Sequence, residues 1–427
     1  MHDLRYLRSH RDEVEKGFAK KHAKVDLDAF YRLEEERLAR LAEVEEGKRR
    51  RNEASQEIGR LKKQGQDASA LLAEMKRVGD DLTEKERLLD LIESRVQEMV
   101  RWMPNFPHET VPEGADASAN IEVARWGDVP KLGFEPRPHW EVAERLGWID
   151  FTRGPKIAGS GFPLFVGDGA RFVRALIQLM IDLHLARHAY TLVHPPILVK
   201  SDCLEGTGQL PKLADDMYRV TDEDLWLNPT AEVPVTNIFR DEVLEPHQVP
   251  TRFVAYCPSF RKEAGAYGKD TRGIIRLHQF DKVELVKFVH PERSYDEHES
   301  LRADVEDVLQ ALEIPYRVML LCGGDMSFAA AKCYDFEAFA AGEKRWLEVS
   351  SCSNFEQFQA RRAGIRFRRE EGAKPEYVAT LNASGLALPR IYVALLENNQ
   401  QPDGSLTVPQ ALSPYLGGAR VMHPAAG

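Results

Sequence analysis

The chain has 427 residues, of which 43% are hydrophobic and 30% are charged, and its mean hydropathy is −0.43. This balance is typical of a globular protein with room for two or more domains, and it excludes collagen-like, mucin-like and wholly disordered chains. The formal net charge of −10 by itself argues against a nucleic-acid partner.

The sequence carries no sign of a membrane or secretory protein. No apolar run approaches the roughly eighteen residues of a spanning helix, and the first 24 residues are highly charged and lack the apolar core of a secretory signal. Five scattered cysteines show no paired zinc spacing: Cys203, Cys257, Cys322, Cys333 and Cys352. We therefore expect a cytoplasmic protein without a membrane partner, a disulfide framework or bound zinc.

The N-terminal quarter predicts a short helical cap followed by a long helical arm over about 27–100. Gly and Pro are nearly absent from the arm, and a Gly-containing turn at 63–69 divides it into two helices. The second helix carries a heptad pattern at Leu71, Met75, Val78, Leu82, Lys85, Leu89, Ile92, Val96 and Met99. The first helix has a weaker seam at Leu27, Phe30, Leu41, Val44 and Ile58. Two helices joined by a short turn are expected to pair as an antiparallel coiled coil.

The uneven distribution of charge along the chain keeps a nucleic-acid partner open. Residues 1–101 contain 23 basic and 23 acidic side chains, so the remainder carries the whole −10. Residues 48–77 contain nine basic and four acidic side chains, a local excess of +5. Because salt screens distant charges, a local positive patch can still bind phosphate groups.

The composition of the sequence changes near residue 103, from charged helical segments to short β-rich runs, which predicts a domain boundary. Residues 103–114 contain three prolines, which indicates a linker. Beyond it, runs at 192–199, 253–256, 282–289 and 316–321 read as strands, and residues 169–189 and 293–312 read as helices. We therefore predict an N-terminal domain at 1–102, a linker at 103–114 and an α+β domain with a mostly antiparallel sheet at 115–427.

The most informative stretch is 257–284, which reads as a strand, a charged loop and a second strand. Arg261 and Glu263 are two residues apart, which predicts one shared strand face, and an arginine there can bind a phosphate with its planar fork. Alone, such a pair is more often a surface salt bridge. The loop adds glycines that allow close backbone approach and further positive charge: Gly265, Gly268, Gly273, Lys269, Arg272 and Arg276.

Several ordered strings resemble the class II aminoacyl-tRNA synthetases. Phe260–Glu263 with its loop resembles motif 2 of that class, and the string through 278–284 resembles the seryl-tRNA synthetase family in particular. Residues 381–398, with Arg390 near a helix start, resemble motif 3, and 190–199 resembles motif 1, the family's dimer-forming element. Further matching strings lie at 207–212, 228–232 and 348–353, so the resemblance covers nearly the whole chain.

The resemblance implies a fold and a reaction. The fold is α+β, with an N-terminal long antiparallel α-helical coiled-coil arm and a C-terminal class II synthetase domain whose antiparallel β-sheet is flanked by helices. The reaction is ATP-dependent activation of L-serine to seryl-adenylate and transfer to the 3′ end of serine tRNA, by a homodimer. The sequence leaves open whether selenocysteine tRNA is also serylated.

The resemblance also implies the residues of an ATP site. Arg261 would hold the α-phosphate and the substrate carboxylate, Arg390 the γ-phosphate and one face of adenine, and Phe280 the other face. The remaining positions are Lys262, Glu263, Val349 and Ser350, with Glu348 and Ser351 as ligands of Mg²⁺. Because a serine carboxylate is already ionised, positioning and charge neutralisation must supply the catalysis.

The same resemblance implies a serine pocket and a tRNA surface. Thr230, Ala231 and Glu232 would surround the amino acid, with Glu284 as a catalytic-site carboxylate at its polar end, Ser384 at the hydroxyl and Asn382 as a weaker candidate. Buried polar groups of this kind reject analogues that lack the hydroxyl. On the arm, contacts to the long variable arm of the tRNA would come from Lys48, Arg49, Arg50, Arg51, Arg60, Lys62, Lys63, Lys76 and Arg77.

Two alternatives and two departures stay open at this point. A related ligase that loads an amino acid onto a carrier protein would lack the arm, and a coiled-coil protein with a dead catalytic domain would have lost Arg261, Glu284 or Arg390. Ala383 stands where many relatives of the resembling family carry Gly, and Leu388-Pro389 precedes Arg390 where many carry a small residue or Gly. A proline fits the first turn of a helix, whereas the effect of both changes on the pocket is not fixed by the sequence.

Overall fold

The computed structural model describes residues 1–264 and 272–424, so the predicted loop residues Gly265, Gly268 and Lys269 lie outside the described part. The chain divides into two compact units. One contains Met1, Lys20–Ala23 and Pro104–Gly427, and the other contains His2–Ala19 and Lys24–Met103. Within the described residues, no helix combines the length and apolar character needed to cross a membrane.

The α-helices of the described residues follow one another along the chain. They are α1 (Leu4–Ser9), α2 (Arg11–Lys20), α3 (Leu27–Lys63), α4 (Ser69–Arg101), α5 (His139–Leu146), α6 (Gly154–Ala158), α7 (Gly167–Arg187), α8 (Ser201–Thr207), α9 (Glu232–Thr236), α10 (Ser294–Ala311), α11 (Phe358–Ala363) and α12 (Leu388–Asn399). The predicted helices at 169–189 and 293–312 correspond to α7 and α10, with ends displaced by one or two residues.

The strands follow the same order. They are β1 (Ile121–Trp126), β2 (Ile149–Asp150), β3 (Leu164–Phe165), β4 (Thr191–Val193), β5 (Leu198–Val199), β6 (Trp226–Leu227), β7 (Val243–Leu244), β8 (Thr251–Phe260), β9 (Gln279–Val289), β10 (Tyr316–Leu320), β11 (Lys332–Ala340), β12 (Arg345–Asn354), β13 (Arg366–Phe367), β14 (Glu376–Tyr377), β15 (Ala379–Ala387), β16 (Leu406–Thr407) and β17 (Val421–Met422).

The smaller unit is built on the two long helices α3 and α4. The break between them at 63–69 confirms the predicted turn. Ion pairs of Arg37 with Glu93 and of Lys48 with Glu86 join the helices in antiparallel order. Predicted seam residues, among them Val44 and the heptad positions Leu82, Leu89, Ile92 and Val96, are buried. The heptad pattern therefore predicted both the pairing and the buried face.

The larger unit contains an eight-stranded sheet in the order β1-β10-β11-β12-β15-β9-β8-β4. Neighbouring strands are antiparallel except for the parallel edge pair β4 and β8. Helices α7, α10 and α12 cover the sheet, and their apolar residues share one large core cluster with the strands. This arrangement confirms the predicted antiparallel sheet flanked by helices.

One local prediction is wrong. Strand β8 ends at Phe260, so Arg261 and Glu263 both lie beyond it and share no strand face. Glu263 has a φ of 52°, in the left-handed region that a glutamate rarely adopts. The chain therefore changes direction at this residue, and the carboxylate of Glu263 instead forms an ion pair with Arg276 from the returning segment.

The segment after residue 103, predicted as a linker, is tied to the larger unit. The buried side chain of Asn105 donates hydrogen bonds from Nδ2 to the carbonyl oxygens of Ala329 at 2.9 Å and Phe355 at 3.0 Å. The backbone N–H of His108 donates to the carbonyl oxygen of Ala331 at 2.8 Å. These bonds hold the start of the unit against the ends of β11 and β12.

Candidate active site

One cavity of about 520 Å³ is lined by most of the predicted substrate residues of the larger unit. Its walls come from β9, β12, β15 and the start of α12, which the antiparallel sheet brings together from distant parts of the chain. Of the predicted serine and ATP residues, those that line the cavity are Thr230, Glu232, Arg261, Glu263, Phe280, Glu284, Glu348, Val349, Ser350, Ser351, Asn382, Ser384 and Arg390.

Two predicted residues do not line it. Ala231 is fully buried and packs in a core cluster with residues such as Val286 and Val378. Lys262 extends away, with its ammonium 5.8 Å from the ring centre of Tyr218. Thr230 and Glu232, on either side of Ala231, therefore line the cavity although Ala231 does not. Arg261 lines it although Lys262 does not.

The side chain of Arg261 lies between Pro229, next to the polar residues of the cavity, and the aromatic ring of Phe280. Its Nε donates to the carbonyl oxygen of Pro229 at 3.2 Å, and its guanidinium carbon lies 5.3 Å from the ring centre of Phe280. Its backbone N–H donates to the carbonyl oxygen of His278, which fixes the start of the loop against its return. The terminal nitrogens make no hydrogen bond with a described residue, so they are available to an anion.

Arg390 and Glu348 are in direct contact on the wall of the same cavity. Pro389 occupies the first turn of α12, as its fixed φ allows, and places Arg390 at the helix start. Arg390 Nη1 donates to the carbonyl oxygen of Glu348 at 2.7 Å and lies 3.4 Å from its Oε2, while Nε donates to the carbonyl oxygen of Ile275 at 3.4 Å. Arg390 is thus oriented by β12 and by the returning loop segment.

A buried polar network occupies one end of the cavity. Glu284 accepts hydrogen bonds from Asn382 Nδ2 at 3.0 Å and from Thr230 Oγ1 at 3.2 Å. Lys282 forms an ion pair with Glu284 and donates to Thr230 Oγ1 at 2.7 Å. Burial raises the pKa of Glu284, and the adjacent Lys282 ammonium opposes that shift. The arrangement offers oriented oxygens to a small ligand that carries an ammonium and a hydroxyl.

Glu232 is a second buried carboxylate at this end. Its Oε1 accepts a hydrogen bond from Gln359 Nε2 at 2.7 Å, and Gln359 in turn accepts from Thr380 Oγ1 at 2.8 Å. Burial, followed by repulsion from Glu284, raises the pKa of Glu232 to about 7. The pocket can therefore change its charge near neutral pH.

Sequence reasoning missed four charged residues that line the cavity, Asp216, Lys282, Asp325 and Asp335, of which Lys282 and Asp335 lie on the central strands. Lys282 alternates with Phe280 and Glu284 along β9, and this spacing of two residues places all three on one strand face. That periodicity was a usable signal. Asp335 lies opposite Ser351 in the β11–β12 register, and burial together with Glu348 raises its pKa. No local pattern reveals that pairing, because it depends on strand register.

The oxygen atoms near Glu348 fit a hard divalent cation. Ser351 Oγ donates to Glu348 Oε1 at 3.4 Å, both side chains line the cavity, and Asp335 stands beside Ser351 on the next strand. Carboxylate and hydroxyl oxygens suit Mg²⁺ in combination with phosphate oxygens. The donor set is therefore consistent with the predicted metal position.

The nine cations predicted to bind RNA are all exposed on the smaller unit. Four form ion pairs within the arm: Lys48, Arg49, Arg50 and Arg60. The other five make no ion pair with a described residue: Arg51, Lys62, Lys63, Lys76 and Arg77. These five lie towards the 63–69 turn, so a positive surface without acidic partners is found where α3 ends and α4 begins.

Comparison with known proteins covers both units. The family profile described as "Seryl-tRNA synthetase N-terminal domain" matches residues 1–107, and the one described as "tRNA synthetase class II core domain (G, H, P, S and T)" matches residues 218–399. The chain is 52% identical to the serine–tRNA ligase of Pelotomaculum thermopropionicum, over 98% of this chain and 99% of that protein. The corresponding protein of Thermodesulfovibrio yellowstonii is 50% identical over 98% and 99%.

Solved structures agree with these relatives. The crystal structure of seryl-tRNA synthetase from Pyrococcus horikoshii complexed with ATP is 34% identical, with a TM-score of 0.92 and full coverage of both chains. That of the cytoplasmic serine–tRNA ligase from Naegleria fowleri in complex with AMP is 26% identical, with a TM-score of 0.86 over 99% of this chain and 97% of that one. Sequence, fold and cavity together place the chain in the seryl-tRNA synthetase family of class II aminoacyl-tRNA synthetases.

Proposed function

We propose that this chain activates L-serine with ATP to form seryl-adenylate and then transfers the seryl group to the 3′ end of serine tRNA. The observation that supports this reaction most directly is that the guanidinium groups of Arg261 and Arg390 line one cavity. That cavity joins a polar pocket around Glu284 to an aromatic and cationic part around Phe280. A carboxylate nucleophile and a nucleotide can meet between them.

Arg261 is proposed as the residue that brings the two reactants together. In the reaction the serine carboxylate attacks the α-phosphorus of ATP, a P–O bond to the new acyl group forms, and the bond to pyrophosphate breaks. Negative charge accumulates on the α-phosphate during this step, and a preorganised guanidinium stabilises it. Arg261 lies beside the pocket of Thr230 and Glu284 and over Phe280, so it can contact both anions.

The other end of the nucleotide is assigned to Arg390 and to Glu348 and Ser351 of β12. We propose that Arg390 binds the γ-phosphate and covers one face of adenine, while Phe280 stacks on the other face. Glu348 and Ser351 would hold Mg²⁺, which would neutralise phosphate charge when bound. Glu263 would line the nucleotide part of the cavity, together with the backbone at Val349 and Ser350.

Serine selection is assigned to the polar end. Glu284, Thr230 and Glu232 offer oxygens to the ammonium, and Asn382 and Ser384 stand on β15 next to them. A substrate without a hydroxyl would leave buried polar atoms unsatisfied, which costs about 1–3 kcal/mol for each group. This penalty favours serine over alanine.

The smaller unit is proposed as the tRNA-binding part. We assign residues 1–102 to this domain, 103–114 to a linker and 115–427 to the catalytic domain. The five cations without acidic partners near the 63–69 turn support contact with the phosphates of a long variable arm. Such contacts read the shape of an RNA more than its base sequence.

A homodimer is proposed from the edge of the sheet. Strand β4 is an edge strand with unpaired backbone groups, and apolar side chains near it are exposed, with Leu192 at 47%, Leu198 at 42% and Ile197 at 39%. An exposed edge with apolar neighbours suits a second copy of the chain.

A cytoplasmic location is proposed from the cysteines. The five cysteines are all free, which suits a reducing cytoplasm.

The decisive experiment is serine-dependent exchange of labelled pyrophosphate into ATP, followed by charging of total tRNA with a panel of amino acids. We expect exchange with serine alone among the panel and charging of serine tRNA. Arg261→Ala should abolish exchange while the protein stays folded by circular dichroism. Unchanged exchange in that variant would refute the assignment, and charging of a carrier protein instead of tRNA would favour the related ligase.

A further inference from the structure

A buried cluster around His139 lies outside the residues that the proposed function uses. The ligand atoms of His139, Glu343 and Glu397 lie within 4.8 Å of one another, a spacing that can hold a metal ion. Both ring nitrogens of His139, however, already have hydrogen-bond partners within the protein. The cluster is therefore better described as a hydrogen-bond junction, and the elements it joins indicate its role.

One side of the imidazole is fixed to the helix that carries Arg390. His139 is the first residue of α5 and is fully buried. Its Nδ1 donates to Glu397 Oε1 at 2.9 Å, and its backbone N–H donates to the same oxygen at 2.8 Å. Glu397 lies on α12 about two turns beyond Arg390. The ring is thus oriented by the same helix that positions the arginine.

The other side of the imidazole holds the returning segment of the motif 2 loop. The backbone N–H of Ile274 donates to His139 Nε2 at 3.2 Å, so Nε2 is the acceptor of the ring and Nδ1 is the nitrogen that donates to Glu397. Gly273 has a φ of 79°, and a Cβ there would lie 2.0 Å from His139 Nε2. Only glycine permits this close approach.

The next residue of α5 makes a second contact with the same segment. The guanidinium carbon of Arg272 lies 4.8 Å from the ring centre of Trp140, which is a cation–π distance. Two successive residues at the start of α5 therefore contact the backbone and the side chains of 272–274. Immediately beyond, Ile275 and Arg276 line the cavity, and the Ile275 carbonyl oxygen accepts from Arg390.

We propose that His139, supported by Trp140, is a positioning residue for nucleotide binding. It fixes the returning segment relative to α12, and so sets the wall formed by Ile275, Arg276 and Arg390. Among the described residues, the hydrogen bonds of its ring go to Glu397 and Ile274, and His139 is not part of the cavity wall. This inference rests on the proposed function, because ATP affinity is read out in serine activation.

The test compares two substitutions of His139 whose side chains differ in length by one methylene group. His139→Asn places an amide near the Nδ1 position, where it can still donate to Glu397, but it leaves the N–H of Ile274 without an acceptor. His139→Gln extends far enough to offer that acceptor. In pyrophosphate exchange we expect His139→Asn to raise KM for ATP about tenfold, the scale of one buried hydrogen bond. KM for serine should stay unchanged, and His139→Gln should recover part of the loss.

A matched control and a second readout separate positioning from general destabilisation. Tyr316→Phe removes a hydrogen bond of another buried residue, the one that the Tyr316 hydroxyl accepts from Gln310 Nε2 at 2.9 Å, and Tyr316 does not line the cavity. It should lower Tm without changing KM for ATP. Hydrogen exchange measured by mass spectrometry should speed up in the 272–278 peptide of His139→Asn, but not in Tyr316→Phe.

The outcomes distinguish this inference from the proposed function. The positioning role would be overturned if His139→Asn changed KM for ATP and KM for serine equally. It would also be overturned if hydrogen exchange in the 272–278 peptide stayed as in the wild type. A wild-type chain without serine-dependent pyrophosphate exchange would overturn the proposed function, whereas the hydrogen-exchange comparison would still test the contact with Ile274. A rise of KM for ATP alone, together with faster hydrogen exchange in the 272–278 peptide, supports both the positioning role and the proposed function.

Discussion

The ammonium of Lys282 donates a hydrogen bond to the Oγ1 atom of Thr230 over 2.7 Å. The same ammonium pairs with Glu284, which also accepts a hydrogen bond from Thr230. Lys282 therefore orients the two side chains proposed to bind the amino acid. It also compensates the charge of a carboxylate that burial alone would tend to neutralise.

We predict that Lys282→Met raises KM for serine at least tenfold in pyrophosphate exchange, because Glu284 loses its nearest cation and tends to take up a proton. KM for ATP should change much less, since Lys282 lies at the polar end of the cavity. Lys282→Arg, which keeps the charge, should retain part of the affinity.

The matched control for this lysine stands on the same strand. Lys287 is also buried on β9, but it pairs with Glu297 and Asp304 outside the cavity. Lys287→Gln should lower the thermal stability and leave KM for serine unchanged. The role assigned to Lys282 is wrong if both substitutions change KM for serine to the same extent.

A pH dependence of serine binding follows from Glu232. Because its pKa is raised to about 7, this carboxyl is mostly protonated below pH 7 and ionised above it. The ionised form attracts the ammonium of serine, so we expect KM for serine to fall about tenfold between pH 6 and pH 8. Binding below pH 7 should release a proton, which calorimetry in buffers of different ionisation enthalpy measures directly.

Glu232→Gln provides the corresponding check. The amide cannot ionise, so the dependence of KM on pH over this range should disappear, although the affinity itself falls. A variant that keeps the wild-type pH profile would assign the titration to another group, for which the repelling carboxyl of Glu284 is the first candidate.

The metal proposal concerns Glu348. We predict that Glu348→Gln raises the Mg²⁺ concentration needed for half-maximal exchange by on the order of tenfold, because one anionic oxygen is lost from the donor set. Glu337 faces Glu348 across β11 and β12 and pairs with Arg317 outside the cavity, so Glu337→Gln is the control. Similar Mg²⁺ titrations for both variants would remove Glu348 from the metal site.

The local patterns of the sequence predicted some features and left others hidden for physical reasons. The heptad positions of α4 predicted a buried seam because helix periodicity is a local property, and Leu82 and Val96 are buried as expected. The placing of Asp335 beside Ser351 depends on which residues of β11 and β12 pair. The reversal at Glu263 depends on a left-handed φ that its residue type does not favour. Non-local pairing and unusual backbone thus limited the prediction of the site.

The last prediction separates amino-acid activation from transfer to tRNA. Arg37 Nη1 and Glu93 Oε1 lie 3.2 Å apart, so the two helices can be joined there by a short Gly/Ser linker that replaces 38–92. The shortened chain should keep full pyrophosphate exchange and lose at least a hundredfold in kcat/KM for tRNA charging.

A milder variant changes Arg51, Lys62, Lys63, Lys76 and Arg77 to Gln. The readout is the slope of log K against log salt concentration, where K is the association constant for tRNA. Each lost cation that contacts a phosphate should reduce the magnitude of this slope by about 0.9. Arg87, which pairs with Glu84 on the same arm, is the control, and Arg87→Gln should leave that slope unchanged. Equal charging by the full-length and shortened chains would show that the arm does not bind the RNA.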